Sequence, residues 1–424
     1  MEKILIITYY WPPAGGPGVQ RWLKFVKYLR EFEYEPVLYV PENPHYPLVD
    51  ESLESEIPRD IQVIRSRIFE PYSFANILSK KNTKSISSGI IPQEKKQGLL
   101  QKLMLYIRGN FFIPDSRKFW IKPSIDLLSE VLPDLGIKTV ITTGPPHSMH
   151  MIGLGLKKEL DIRWLADFRD PWTSIGYHDK LKLSRSSKLQ HRQLEKKVLH
   201  EADKIITTSF TTKKEFQEKT TTPVYVITNG YDTEKIPDYE PEDKFTLAHI
   251  GSLLSQRNPK SLWGAIADLI SENPEFGKDF RLELTGAVGE PVLHSIKEAG
   301  LESHLLLRGY VSHHQALKLQ HAAAMLLLIE IDSRRTRAII PGKLFEYMIS
   351  GRPILAVGPE NADIQKIIRE TNTGKFFNYE DKTAIKDYIH ESYRAFIEKN
   401  LKTEPVGLQK YHRRALTREL AKLL

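Results

Sequence analysis

Two charged side chains stand three positions apart in one short segment, Pro341-Gly342-Lys343-Leu344-Phe345-Glu346-Tyr347-Met348. Pro341 and Gly342 free the backbone before a predicted helix, and residues three apart share one helix face. The start of a helix stabilises an anion, more so beside an ammonium, and a carboxylate can accept hydrogen bonds from both hydroxyls of a ribose. The spacing therefore suits a nucleotide-sugar site, and it equally suits an ordinary helix start with a solvent-facing Lys343 and Glu346.

The elements that must position this motif form two runs of alternating strands and helices. The strands are continuously apolar, which indicates parallel sheets covered on both faces. Ligands bind at the carboxyl ends of such strands, and two such sheets joined by a linker predict a cleft between them. The predicted strands begin at Ile4, Pro36, Thr139, Arg163, Lys204 and Val224 in the first run, and at Phe245, Leu282, Leu305, Met325 and Pro353 in the second.

Length and composition narrow the class of protein. A chain of 424 residues is too long for one typical core, so two domains are expected, with the acidic stretch Asp238–Asp243 as a predicted linker. The chain has no cysteine, which excludes disulfides and thiolate metal sites. Its apolar runs fall short of the ~20 residues that cross a membrane, and the run Ile4–Ile7 is too short for a secretion signal. We therefore expect a cytoplasmic protein.

The net charge of +8 can be assigned to one segment, residues 80–122. This segment holds ten lysines and arginines and two acids, Glu94 and Asp115, while the rest of the chain is balanced. Aromatic runs such as Phe111-Phe112 and Phe119-Trp120 lie between the basic residues. The pattern suits docking on anionic lipid, a core helix with a solvated basic face, or nucleic-acid binding. Since no recognition motif accompanies it, we expect no nucleic-acid partner.

Short motifs follow the predicted strands in a fixed order. They are Tyr9-Tyr10-Trp11-Pro12-Pro13-Ala14-Gly15-Gly16, Thr143-Gly144-Pro145-Pro146-His147-Ser148, Ala166-Asp167-Phe168-Arg169-Asp170-Pro171-Trp172, Asn229-Gly230-Tyr231-Asp232, Gly251-Ser252 with Arg257, Arg308-Gly309-Tyr310-Val311, and the stretch from Pro341 to Pro353. Each is weak alone. Together, over nearly the whole chain, they resemble the retaining glycosyltransferases of the GT-B type, family 4 in particular.

The resemblance implies an α/β fold of two Rossmann-like, doubly wound domains that face a central cleft. The acceptor domain would be 1–228, with the basic aromatic segment 80–122 as an insertion. The donor domain would be 229–400, and 401–424 would form a helix that packs back on the first domain.

The resemblance also implies a donor site on the second domain. Arg257 and Lys343 would hold the donor diphosphate in place of a metal, so neither a metal nor another cofactor is expected. Glu346 would bind the ribose. The further donor-binding residues would be Gly251, Leu344, Gly309, Tyr310 and Val311, the last three beside the nucleobase.

One position departs from the family's usual pattern. Family members carry two glutamates eight residues apart, and the first meets hydroxyls of the transferred sugar. Ala338 stands at that position here. The chain in this respect resembles members that use amino-sugar donors and carry a Pro-x-Lys-x-x-Glu-Tyr motif.

Candidate residues of the first domain follow its strands. A glycine turn at Gly15 and Gly16 lets backbone N–H groups approach the donor phosphate, or is a plain tight turn. His147 resembles the family's cleft histidine, with His150 as the alternative; without the resemblance, either would be read as a surface or capping residue. Asp167 or Asp170 would orient or deprotonate an acceptor hydroxyl, and Asp170, before Pro171, also suits a turn.

The hypothesis is a retaining glycosyltransferase that moves a hexose or N-acetylhexosamine from a nucleoside diphosphate sugar, UDP-linked, to a lipid-linked or glycan acceptor. The catalytic candidates are His147, Asp167 and Asp170. It would act in the cytoplasm, on the inner face of an anionic membrane. Two alternatives stay open at this point: a sugar-nucleotide epimerase of the same two-domain shape, and a non-catalytic nucleotide-sugar or carbohydrate-binding protein, which Ala338 favours.

Overall fold

The computed structural model describes residues 1–70, 99–174, 181–232, 238–240 and 242–424. This part of the chain divides into two compact units, Met1–Thr228 together with Arg413–Leu424, and Asn229–His412. Residues 80–98 of the basic segment and Pro241 of the predicted linker lie outside the described residues.

The described part of the first unit contains a parallel sheet of seven strands with helices between them. The strands are β1 (Glu2–Ile7), β2 (Tyr34–Pro41), β3 (Gln62–Ser66), β4 (Thr139–Gly144), β5 (Arg163–Phe168), β6 (Lys204–Thr207) and β7 (Val224–Val226), in the order β3-β2-β1-β4-β5-β6-β7. The helices are α1 (Pro17–Leu29), α2 (Leu99–Phe111), α3 (Lys118–Leu135), α4 (Ser148–Glu159), α5 (Arg185–Glu201) and α6 (Phe210–Gln217).

The described part of the second unit repeats this design with six parallel strands. They are β8 (Phe245–Ile250), β9 (Phe280–Thr285), β10 (Leu305–Gly309), β11 (Met325–Ile329), β12 (Ile354–Val357) and β13 (Gly374–Phe377), in the order β10-β9-β8-β11-β12-β13. The helices are α7 (Lys260–Glu272), α8 (Pro274–Asp279), α9 (Glu290–Glu298), α10 (His313–Ala322), α11 (Gly342–Ile349), α12 (Asp363–Thr371) and α13 (Lys382–Ile397).

Burial explains why these strands read as continuous apolar runs. Every residue of β4, β8, β11 and β12 is buried, because helices cover both faces of each sheet. The edge strands β3 and β13 are only partly buried and carry polar residues, as in Gln62-Val63-Ile64-Arg65-Ser66. The sequence did not predict these two strands for that reason.

The order of the strands reverses at one point in each sheet. In the first unit β1 lies between β2 and β4, and in the second β8 lies between β9 and β11. Connections leave such a point toward opposite faces, so a crevice opens at the carboxyl ends of the two strands. The loops after β1 and β4 carry Gly15, Gly16 and His147, and the loop after β8 carries Gly251 and Arg257.

The last helix belongs to the first unit. The second unit continues past residue 400 to His412, since Tyr411 packs on Phe345 of α11 with ring centroids 5.4 Å apart. Helix α14 (Arg413–Ala421) then packs on α1, with Leu416 and Leu420 in the same apolar cluster as the core face of α1. No helix in the described ranges is long and apolar enough to cross a membrane.

Candidate functional site

Three glycines at neighbouring strand ends shape the switch point of the second unit. Gly251 follows β8, Gly286 follows β9 and Gly309 ends β10, with φ angles of +116°, +108° and +65° that favour glycine. A Cβ atom on Gly286 would lie 2.8 Å from the carbonyl carbon of Gly251, and the Gly286 N–H donates to the Gly309 oxygen at 2.6 Å. Because these glycines have no side chains, a ligand can approach the backbone at the carboxyl ends of the strands. Tyr310 is 95% exposed beside it.

Lys343 extends to the carboxyl end of β8 from the first turn of α11. A Cβ atom on Gly251 would lie 2.5 Å from Lys343 Nζ, so the ammonium lies directly against the backbone of this glycine. Nζ lies 3.5 Å from Nε2 of buried His249. His249 Nδ1 donates to the Leu327 oxygen at 2.9 Å, and since burial and Lys343 hold the pKa of His249 well below its ordinary value, Nε2 carries the lone pair. The lone pair of His249 thus faces the Lys343 ammonium from the buried side of the site.

A second cation, Arg257, lies in the same electrostatic cluster. Its Nη2 is 3.3 Å from Glu330 Oε2, and its Nε is buried without a hydrogen-bond partner in the part of the chain that the structure describes. Burial raises the pKa of Glu330, and Arg257 and Lys343 oppose that rise. Burial and the charge of Arg257 lower the pKa of Lys343 to about 8, while Glu330 and Glu346 oppose that fall. An anion that joins this cluster would therefore lower its free energy, because it would pair with cations that lack sufficient countercharge.

Helix α11 is fixed to β8 by one tyrosine. Tyr347 is fully buried, and its hydroxyl accepts from the Ile250 N–H at 2.9 Å and lies 3.4 Å from the Ile250 oxygen. One turn from Lys343, Glu346 accepts from Gln320 Nε2 at 3.0 Å, which orients its carboxylate. The Leu344 side chain is in the core, and its N–H donates to the Pro341 oxygen at 3.0 Å.

In the first unit, Arg169 joins the two loops of the switch point. Its N–H donates to the Gly144 oxygen at 2.9 Å, and its Nη2 donates to the Pro145 oxygen. A Cβ atom on Gly18, in the first turn of α1, would lie 1.6 Å from Arg169 Nη1. Burial lowers the pKa of Arg169, and Asp170 opposes that fall. A guanidinium therefore lies at the start of α1, beside the glycine turn.

That turn leaves the backbone accessible. Gly16 has φ +104°, and an added Cβ would meet no atom within 4 Å. The Gly15 N–H donates to the Leu48 oxygen at 3.0 Å, so this glycine is tied to the neighbouring loop. Of the two predicted residues, Gly16 is the more open to a ligand.

Asp167 is saturated by donors. Its Oδ1 accepts from Arg21 Nη2 at 2.8 Å, and its Oδ2 accepts from Trp22 Nε1 at 2.9 Å, Thr143 Oγ1 at 2.8 Å and Arg21 Nε at 3.3 Å. The ion pair is buried, at 1% and 0% exposure. Burial raises the pKa of Asp167, but Arg21 and these hydrogen bonds hold it below the ordinary value. This carboxylate ties α1 to the strand ends and is a weak base.

Asp170 differs from Asp167 in its exposure. Asp167 is fully buried, whereas Asp170 is exposed to solvent. An accessible carboxylate is the better of the two candidates for contact with a hydroxyl.

Both candidate histidines are covered by aromatic rings. The His147 ring stacks on Trp172 at 4.6 Å with 2° between the planes and is 2% exposed. His150 is fully buried, 4.2 Å from the Phe168 ring, and burial lowers its pKa to about 3. A Cβ atom on Gly144 would lie 2.6 Å from His150 Nε2 and 3.2 Å from His147 Nδ1. Both rings thus pack under the end of β4.

The protonation of His150 follows from its neighbours. The Trp164 indole can only donate, and it donates to Thr142 Oγ1 at 2.9 Å. That hydroxyl lies 2.9 Å from His150 Nδ1 and has its own proton to give. We therefore assign the proton of neutral His150 to Nε2, which faces Gly144. The direct contact of His147 with substrate stays a prediction.

Sequence reasoning missed four residues that the structure places at the switch points: His249, Glu330, Arg169 and Arg21. His249 and Glu330 lie in or directly after apolar strands, and Arg21 lies on the core face of α1. A polar or charged residue within an otherwise apolar strand or helix face was the feature of the sequence that could have identified them. Arg169 stood within a motif without an assigned role.

Comparison with solved structures matches the whole chain. Sucrose-phosphate synthase from Thermosynechococcus elongatus aligns with a TM-score of 0.60 at 14% identity, over 100% of this chain and 98% of that one. The lipopolysaccharide outer core galactosyltransferase WaaB aligns at 0.57 and 14%, over 100% and 99%. A proposed UDP-N-acetylglucosamine 2-epimerase from Listeria monocytogenes aligns at 0.52 and 11%, over 99% and 94%.

The sequence comparisons found no such relatives. No protein-family model matches the chain, and the search of curated proteins gave no match. At these identities the structural likeness shows the fold alone, and that fold is the two-unit α/β architecture of the GT-B glycosyltransferases, as the resemblance predicted.

Proposed function

We propose that this chain is a retaining, metal-independent glycosyltransferase that moves a hexose or N-acetylhexosamine from a UDP-sugar to a lipid-linked or glycan acceptor. The observation that carries the proposal is the cation pair of the second unit. Lys343 and Arg257 are partly desolvated at a Rossmann switch point, and Glu346 is one turn away. Two cations at that place suit a diphosphate, and the carboxylate suits a ribose.

The similar structures support the class of donor. WaaB is a galactosyltransferase by name, and the Listeria protein's name includes a UDP-sugar. Leaving-group stabilisation by Lys343 and Arg257 would take the place of a metal. Turnover should therefore persist in excess EDTA, and loss of turnover there would contradict this part of the proposal.

The proposed reaction needs no free carboxylate base. The acceptor oxygen forms a bond to the anomeric carbon, the bond from that carbon to the diphosphate breaks on the same face, and the acceptor proton passes to a diphosphate oxygen. The saturation of Asp167 by four hydrogen bonds supports this route, since that carboxylate is unsuited to take the proton. The anomeric configuration of the product, read by NMR, tests retention.

Donor turnover is the test of the function. The full chain is incubated with a panel of UDP-sugars and with lipid-linked and oligosaccharide acceptors, and products are read by mass spectrometry. We expect a glycosylated acceptor and free UDP, and we expect Lys343→Ala to lose turnover while it stays folded. Turnover that Lys343→Ala leaves unchanged would overturn the site assignment.

The same panel separates the two alternatives. The likeness to the Listeria protein favours an epimerase, which would bring solvent deuterium into the sugar without an acceptor. A non-catalytic binding protein would bind the donor tightly and release no UDP with any acceptor. Either result would replace the transferase proposal.

We also propose that the described part of the basic segment docks on anionic lipid. Helix α2 exposes Leu103, Tyr106, Ile107 and Phe111 on one side, by 38% to 62%. Phe119 follows, and Lys118 Nζ lies 5.1 Å from its ring centroid. Apolar side chains among cations suit the interface of an anionic membrane. This surface supports a peripheral location at the cytoplasmic face.

Vesicle co-sedimentation tests the docking. We expect binding to vesicles of phosphatidylglycerol and phosphatidylcholine, weaker binding to phosphatidylcholine alone, and release by salt. Lys118→Glu with Lys122→Glu should weaken binding, and Lys297→Glu, in the second unit, is the matched control. Binding that neither salt nor these charges affect would contradict the proposal.

A further inference from the structure

An arginine-rich loop lies at the same end of the sheet as Lys343. After β11 and Glu330, residues 332–340 lead to the start of α11 and include Arg334, Arg335 and Arg337 against one acid, Asp332. The loop thus begins next to the partner of Arg257 and ends at the helix that carries Lys343. It belongs to the second unit, on which the donor residues lie.

The backbone of this loop is held at several points. Thr336 Oγ1 donates to the Ile331 oxygen at 2.6 Å, and the Arg335 N–H donates to Ser333 Oγ at 3.3 Å. The Asp363 N–H donates to the Arg337 oxygen at 2.8 Å, which ties the loop to the start of α12. Arg337 is therefore presented from a fixed position between the carboxyl ends of β11 and β12.

The Arg337 guanidinium has hydrogen-bonding capacity to spare. Its side chain is 27% exposed, and its Nε is buried without a hydrogen-bond partner among the described residues. Its acidic neighbour is Glu360, 3.8 Å from Nη2, and the Glu360 side chain is 74% exposed. An ion pair that long and that exposed contributes little. An arginine fork of this kind suits a planar carboxylate that binds through two oxygens.

The residue next to Arg337 is an alanine, so position 338 carries no carboxylate. Ala338 stands where the resemblance leads one to expect a glutamate beside the transferred sugar. A glutamate there would repel an acidic sugar, and alanine does not. The loop thus combines a cation with spare donors and the absence of a carboxylate at position 338.

We propose that Arg337 binds a carboxylate on the transferred sugar, so that the donor is a nucleoside diphosphate hexuronate, a hexose or N-acetylhexosamine oxidised at its terminal carbon. This inference rests on the proposed function, because it assumes that the diphosphate lies on Lys343 and Arg257. Arg334 and Arg335 are exposed on the same loop and add positive potential.

Calorimetric titration of the full chain tests the inference. The probes are UDP, then the matched pairs UDP-glucose with UDP-glucuronate and UDP-galactose with UDP-galacturonate. We expect the wild-type protein to bind one of the acidic sugars at least about tenfold more tightly than its neutral match, since a charge-assisted hydrogen bond separates them. This preference should weaken as salt is added.

Variants assign the preference to the loop. Arg337→Gln should remove it and leave the affinity for UDP itself unchanged, and Arg337→Lys should keep part of it because the charge remains. Arg369→Gln, an exposed arginine in the last turn of α12, is the matched control and should change nothing.

Three results would overturn the inference, and they can be distinguished from one another. Equal affinity for acidic and neutral sugars in both pairs, with UDP bound, contradicts the inference and leaves the proposed function intact. A preference that Arg337→Gln leaves unchanged also contradicts it. If the chain binds neither UDP nor any of the four sugars, the proposed function fails and the inference fails with it.

Discussion

Replacing Lys343 by methionine should both stabilise the fold and remove the proposed diphosphate site. Methionine keeps the unbranched apolar stem and carries no charge. Burial and Arg257 lower the pKa of the lysine from 10.5 to about 8. At ~1.4 kcal/mol for each pH unit, holding the ammonium in the folded protein at neutral pH costs up to about 3 kcal/mol. The hydrogen bond to His249, at 3.5 Å, returns little of this.

The gain in the variant is smaller than the full cost. Part of the Lys343 side chain meets solvent, and the unfolded chain also changes, so we expect the free energy of unfolding to rise by about 1–2 kcal/mol. Each kcal/mol shifts Tm by about 2–4 °C in a unit of this size. Urea unfolding and thermal scans of both proteins measure the difference. Lys297→Met, which removes an exposed lysine of the same unit, is the matched control and should change stability by less than about 0.5 kcal/mol.

The pH dependence identifies the cause. Between pH 8 and 10.5 the folded protein binds fewer protons at Lys343 than the unfolded chain, so wild-type stability rises with pH in that window. The advantage of the methionine variant is therefore constant below pH 8 and shrinks above it. The variant should also lose affinity for UDP by about tenfold or more, because a charge-assisted hydrogen bond is lost. A variant less stable than wild type, with a difference independent of pH, would refute the reasoning.

Three further predictions concern the protonation of Lys343, the hydroxyl of Tyr347 and the carboxylate of Asp167. UDP affinity of the wild-type protein should fall above pH 8, by at most about tenfold per pH unit, because the free protein loses the Lys343 proton there while a bound diphosphate retains it; calorimetry against pH measures this. Tyr347→Phe should cost about 1–3 kcal/mol in urea unfolding, because the buried Ile250 N–H loses its acceptor, and no loss would show that the N–H finds another. Asp167→Asn should cost about 3–5 kcal/mol, because Arg21 is left buried without its countercharge; a cost confined to turnover would instead favour a catalytic Asp167.

The sequence predicted the apolar strands and missed two of the four edge strands of the described sheets, β3 and β13. Central strands such as β4 and β11 are buried along their whole length, so their composition alone distinguishes them from helices and loops. The edge strands β3 and β13 carry polar residues on their exposed sides and share no such pattern. The break at His412 was missed because Tyr411 and Leu416 both suit a helical period but pack on different units.

The backbone of the candidate site was predictable from its glycines, while the roles of its charged residues stay predictions. A glycine after an apolar strand has few explanations, and Gly251 and Gly309 have the positive φ that explains them. A carboxylate has many. Asp167 and Asp170 are three residues apart in the sequence, yet only the structure distinguishes a buried ion-pair partner from an exposed carboxylate.

The charged residues of the two switch points differ: Arg21 and Asp167 of the first unit are fully paired, and the cations of the second unit are not. This difference indicates where free energy of binding would arise. The pair of Arg21 and Asp167 is closed, since the carboxylate has four donors and both side chains are excluded from solvent. The cluster of Arg257 and Lys343 is open, and both cations are partly desolvated. Arg257 has a buried Nε without a partner among the described residues, and Lys343 has a depressed pKa. Pairing charges that the fold has already desolvated yields more than pairing charges in water, because the desolvation cost lies in the unbound protein. An anion that binds at the second switch point, as proposed, should therefore also stabilise the unit that holds it.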